Sequence, residues 1–180
     1  LNVFTGSATQ GKGGDMIFSI GSGTTYTGGD IEMIAGLSTA TSTGTGGAFS
    51  VTTGFGEPST SGLVMVRTPD AGTVGVSGTL RFTSGTASSG GSGSILLATG
   101  SATNGEGGDI TLSVGKSKTD TGGDVMVYGG YSSPFTGGAV SLTTGEGTEG
   151  SSGAFIVRTL NAGTLGVSGM LSFTSGTASS

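Results

Sequence analysis

The sequence predicts an all-β fold: a parallel β-helix or β-solenoid of about twelve coils, each about fifteen residues long. Three observations predict it. An octet exemplified by Gly108-Asp-Ile-Thr-Leu-Ser-Val-Gly115 recurs in the same phase along the whole chain. Each octet carries two large apolar residues two positions apart. A third position, outside the octet, holds only small residues.

The octet reads Gly, any residue, apolar, polar, apolar, polar, small or apolar, Gly. Alternation bounded by glycine is a strand signal. With the first glycine as position zero, the octets begin at Gly14, Gly29, Gly47, Gly62, Gly78, Gly93, Gly108, Gly123, Gly138, Gly153 and Gly169, and Leu1-Asn2-Val3 lies inside a twelfth. The spacing is 15 or 16 except for 18 between Gly29 and Gly47, where the loop Leu37 to Gly46 carries three extra residues. A short fixed period is the signature of a repeat array in which each unit buries its apolar face against its neighbours.

Positions two and four supply that face. They hold Leu1 and Val3, Met16 and Phe18, Ile31 and Met33, and so on to Leu171 and Phe173. Residues two apart point to the same side of a strand. Position nine holds Ala8, Gly23, Ser38, Gly56, Ala71, Ala87, Ala102, Ser117, Ser132, Gly147, Ala162 and Ala178, which predicts a return segment packed close over the large pair. The residue before each octet is Gly or Ser, and position seven is Gly except at Pro69 and Leu160. These positions read as corners.

A longer period is superimposed. Ser61 to Thr68 matches Ser152 to Thr159, and Ala71 to Gly78 matches Ala162 to Gly169, an offset of 91 residues or six octets. The expected organisation is therefore one continuous array over residues 1–180, with internal repeats at about 1–89 and 90–180. The chain opens inside a repeat, which reads as a window on a longer array. Stacked at about 4.8 Å per coil, twelve coils would form a rod about 57 Å long with a superperiod of about 29 Å.

Composition narrows the function. The chain has 41 glycines in 180 residues and 9 % charged residues, which by itself suggests low complexity. The fixed phase of the apolar residues argues against disorder, since only a buried face selects a phase. With a net charge of −5 and six scattered Lys and Arg residues, the chain lacks the footprint for nucleic acid or an anionic membrane. No apolar run is long enough for a transmembrane helix, so membrane insertion is not expected. Cysteine is absent, so no redox compartment can be read.

With neither His nor Cys, the common nucleophilic triads are excluded. The acids Asp15, Asp30, Glu106, Asp109, Glu146 and Glu149 recur as repeat features and form no unique cluster. The chain is not expected to be an enzyme, and no cofactor is implied. Asp15 with Asp30, and Asp109 with Asp124, occupy position one of adjacent octets. In a regular stack they would lie about 5 Å apart and be either solvated or bridged by Ca²⁺. Other octets place Ala48, Leu63 or Thr79 there, so a ligand is not required.

Outward positions three and five carry Phe4, Ile17, Ile34, Met65, Leu96, Met126, Tyr128 and Ile156, with Arg67 and Arg158 in equivalent places. They read as scattered surface residues or as a lateral contact face for other rods. A threonine series at position ten (Thr9, Thr24, Thr39, Thr103, Thr148) suggests an ice-binding plane, but Glu57, Gly72, Lys118 and Gly163 interrupt it. Asn2, Asn104 and Asn161 are in no glycosylation sequon, which leaves O-linked glycans on the Ser and Thr loops.

The phrases Gly-Gly-Asp-Ile-Thr-Leu-Ser-Val-Gly, Ser-Gly-Ser-Ile-Leu-Leu-Ala-Thr-Gly and Val-Ser-Gly-Met-Leu-Ser-Phe-Thr-Ser-Gly-Thr-Ala-Ser-Ser resemble the Gly/Ser/Thr-rich tandem-repeat proteins of algal cell surfaces, diatoms included. The resemblance implies an extracellular or cell-surface fibrous protein and supplies no catalytic residues. The expected function is structural: rods associating end to end and laterally into a filament, surface hair or cell-wall layer. The alternative is an ice-binding or adhesive surface protein, with Ca²⁺ as a rigidifier.

Overall fold

The computed structural model describes residues 1–25, 27–133 and 135–178. Among the described residues there is no helix and no strand. The all-β expectation, and with it the parallel β-helix or β-solenoid of stacked coils, is therefore overturned. The fifteen-residue period survives in another form. Among the described residues the chain bends at 9–11, 24–25, 41–43, 57–59, 73–75, 88–90, 103–105, 118–120, 133, 135, 148–150 and 164–166, about once per repeat. Three bends, those at 9–11, 73–75 and 88–90, end on a glycine with positive φ: Gly11 at 106°, Gly75 at 145° and Gly90 at 105°. These are backbone conformations that a side chain disfavours.

Among the described residues, five of the loops that carry these bends are closed by a backbone neck. The chain divides into two units, Leu1–Ile95 and Leu96–Ser180. Within the first, the amide of Gly14 donates to the carbonyl of Gly6 at 3.1 Å, Gly47 to Gly36 at 2.8 Å and Gly62 to Gly54 at 3.0 Å. Within the second, Gly138 donates to Gly130 at 2.8 Å and Gly153 to Gly145 at 3.0 Å. In every case a position-zero glycine bonds the position-seven glycine of the octet before it. The octet is thus an extended link between two loops.

The closures that form are local and do not run from coil to coil. A neck joins residues about eight apart, whereas a coil-to-coil ladder must join residues fifteen apart. Loop-closure entropy favours the shorter closure by about 0.6 kcal/mol for a twofold difference in length. Glycine on both sides of most octets further raises the cost of holding them as strands.

The apolar pattern consequently builds no core. Among the described residues none is buried. Position-two side chains after Leu1 are 44–64 % exposed, from Met16 at the low end to Phe49 at the high end. The chain exposes 18308 Å². A folded monomer of its 17.1 kDa would expose about 7800 Å² and a fully unfolded one about 25000 Å².

What shelter exists lies at the necks. The half-buried described residues are Ala35, Thr53 and Thr68 at position six, and Ser38, Gly56, Ser132, Gly147 and Ala162 at position nine. The small residues at position nine therefore do not cover the large pair. They face the returning limb of their own loop. A Cβ on Gly147 would come within 2.6 Å of the Ser151 carbonyl, and one on Gly56 would meet that of Thr60. At two position-nine serines the Oγ accepts from the loop backbone: Ser117 from Asp120 N at 3.0 Å and Ser38 from Ala40 N at 3.4 Å. Such side-chain-to-backbone bonds are the usual stabilisers of turns.

Candidate functional surface

The neck has a side-chain layer as well as a backbone bond. Position-zero glycine packs against the position-six side chain of the preceding octet. A Cβ on Gly14 would lie 3.0 Å from Thr5 Cβ, on Gly62 3.1 Å from Thr53 Cβ, and on Gly108 3.3 Å from Thr99 Cβ. On Gly29 it would lie 2.6 Å from Ile20 Cγ2, and on Gly123 2.8 Å from Val114 Cγ1. Glycine is at position zero because a larger residue would push its neighbour away. At the first neck the Thr5 hydroxyl also donates to the Gly14 carbonyl at 2.9 Å, so two hydrogen bonds tie the same pair of limbs. The position-six threonines went unremarked as functional in the sequence pattern. Their recurrence nine or ten residues before the next position-zero glycine was the available signal.

The candidate metal ligands are not assembled into a site. Asp15 pairs with Lys12 at 2.7 Å, with both side chains well exposed. Asp30 in the first unit and Asp109 and Asp124 in the second are exposed. Among the described residues no group of three or more acidic or His/Cys side chains could hold a metal ion. The stacked carboxylate pairs expected at about 5 Å depended on coil-on-coil register, which the chain does not adopt.

The lateral-contact candidates are open to solvent. In the first unit Phe4 is 85 % exposed, and Ile17, Ile34 and Met65 are likewise exposed, with Arg67 beside Met65 in the chain. In the second unit Leu96, Met126, Tyr128, Ile156 and Arg158 are exposed. Of these the structure brings two together: the Tyr128 hydroxyl donates to Met126 Sδ at 3.1 Å. The outward positions are not set apart by a buried inner face, because positions two and four are open as well. Each octet instead presents apolar side chains on both sides of an extended link.

No cavity is present among the described residues, and no helix there is long and apolar enough to cross a membrane. The chemistry available is that of a repeated apolar and hydroxyl-rich surface punctuated by acidic loops. Comparison with protein-family models, with curated proteins and with solved structures gave no match.

Proposed function

We propose that the chain is a structural tandem-repeat element that associates with copies of itself into an extracellular filament, surface hair or cell-wall layer. The observation that carries this reading is the exposed area of 18308 Å², more than twice the roughly 7800 Å² of a folded monomer of this mass. Large apolar side chains that recur along the repeats are exposed, including Phe18, Ile34, Leu96, Leu112 and Ile156. An isolated patch of this kind would mark one interface. Recurring in every octet, the same links let two chains meet at many points, so weak contacts sum to strong association.

The loop necks at Gly14, Gly47, Gly62, Gly138 and Gly153 hold the limbs of their loops together, and the acidic balance keeps free chains apart until they meet in register. The resemblance to algal surface proteins supports an extracellular setting, where the many Ser and Thr hydroxyls could carry O-linked sugar. The reading requires neither catalysis nor a cofactor.

Sedimentation velocity across a concentration series, with electron microscopy of the same samples, tests it. The expected result is concentration-dependent growth into elongated assemblies, with protection of the octet amides from hydrogen exchange. A chain that stays monomeric at millimolar concentration refutes it, and thermal hysteresis of such a monomer would point to ice binding instead.

A further inference from the structure

The two halves of the chain contain the same loop in two chemical versions. Ser7-Ala-Thr-Gln-Gly-Lys-Gly-Gly-Asp15 is repeated as Ser101-Ala-Thr-Asn-Gly-Glu-Gly-Gly-Asp109. Gln10 becomes Asn104 and Lys12 becomes Glu106. Both bends fall on the same residues, 9–11 and 103–105. From this pair we infer that Asn104-Gly105 is a site of spontaneous covalent modification, a deamidation through a cyclic imide that needs no enzyme.

The chemistry follows from the neighbours. The Gly105 backbone nitrogen attacks Asn104 Cγ, forming a five-membered succinimide. The C–N bond of the side-chain amide breaks, ammonia leaves, and the proton lost by the attacking nitrogen goes with it through solvent. Water then opens either carbonyl of the ring, giving aspartate or isoaspartate. No oxidant or reductant takes part. The step needs a backbone free to rotate and is fastest where the following residue has no side chain, as glycine alone provides.

Both conditions hold. Asn104 and Gly105 are exposed at the bend, and a Cβ on Gly105 would meet nothing within 4 Å. Among the described residues no hydrogen bond engages either one.

The same chain supplies its own controls. Gln10 precedes a glycine in the equivalent bend, but its longer side chain must close a six-membered ring. Asn161 precedes Ala162, whose amide is engaged with Ser168 Oγ at 3.2 Å and whose side chain is half-buried. Asn2 precedes the β-branched Val3. Reaction at Asn104 adds a carboxylate to a loop that already holds Glu106 and Asp109, whereas the equivalent loop keeps its Lys12–Asp15 pair. The isoaspartate product also lengthens the loop backbone by one carbon. With time the charge difference between the two loops widens, and the extent of reaction records the age of the molecule.

The test is to hold the intact chain in mildly alkaline buffer at body temperature and map it by mass spectrometry after trypsin, with fragmentation that distinguishes isoaspartate. The expected result is a gain of about 1 Da confined to the peptide Phe82–Lys116, with an isoaspartate majority, while Leu1–Lys12 and Thr159–Ser180 stay unshifted. Gly105→Ala should slow the reaction about tenfold, and Asn104→Gln should abolish it. An unshifted Phe82–Lys116 peptide overturns the inference. Equal reaction at Asn161, or a rate that Gly105→Ala leaves unchanged, overturns it too.

Discussion

Gly138→Ala is the sharpest perturbation of the loop neck. A Cβ there would stand 2.9 Å from the Gly130 backbone nitrogen and 3.5 Å from its Cα, so only a movement of main chain relieves it. That movement breaks the 2.8 Å bond from Gly138 N to Gly130 O. One such hydrogen bond contributes about 0.5–1.5 kcal/mol net, and the steric opposition adds to it. The closed-to-open ratio of this neck should therefore fall by about five- to thirtyfold, corresponding to about 1–2 kcal/mol. Amide hydrogen exchange at residue 138, followed by NMR on dilute chain, reads the ratio directly. Gly122→Ala is the matched control, because a Cβ at Gly122 meets nothing within 4 Å and its φ is outside the left-handed range. Unchanged exchange at residue 138, or an equal loss from Gly122→Ala, would refute the neck as the organising contact.

Other perturbations test neighbouring steps. Thr5→Val keeps the shape of the side chain but removes the 2.9 Å bond to the Gly14 carbonyl, and should lower Gly14 amide protection about two- to threefold, as suits an exposed bond of about 0.5 kcal/mol. Lys12→Gln should change the same protection less than about twofold, because the pair with Asp15 is solvent-screened; salt titration of the unmodified protein should agree. Leu96→Glu with Ile156→Glu should raise the concentration at which assemblies appear, while ammonium sulfate lowers it for the unmodified chain, since sulfate strengthens apolar association; light scattering reads both. Calcium should leave assembly and neck protection unchanged, and a saturable heat in calorimetric titration would contradict that.

Much of the local order was legible in the residues, and the tertiary order was not. The period, the corner glycines and the small position nine all correspond to features of the chain, because each reflects contacts within one repeat. Gly147 and Ser38 could be recognised as constrained without knowing what constrained them. The alternation of Ile110 and Leu112 with Thr111 was read as one buried face, but alternation records only that two side chains share a side of an extended link. It does not say that anything lies against them. The expected spacing of Asp15 and Asp30 rested on the same stacking of coils. The Lys12–Asp15 pair, three residues apart, needed no such assumption.

The loop Leu37 to Gly46 carries three more residues than its counterparts, yet its neck bond, Gly47 N to Gly36 O at 2.8 Å, is as short as any neck bond among the described residues. Closure and loop length are thus decoupled. Lengthening the closed segment from eight to eleven residues costs only about 0.3 kcal/mol, and ten more would cost about 0.6 kcal/mol. The segment between Ala40 and Thr45 is therefore a natural graft site. A foreign peptide placed there would be displayed once per molecule, and in an assembly at every recurrence of the chain, without the scaffold having to be redesigned around it.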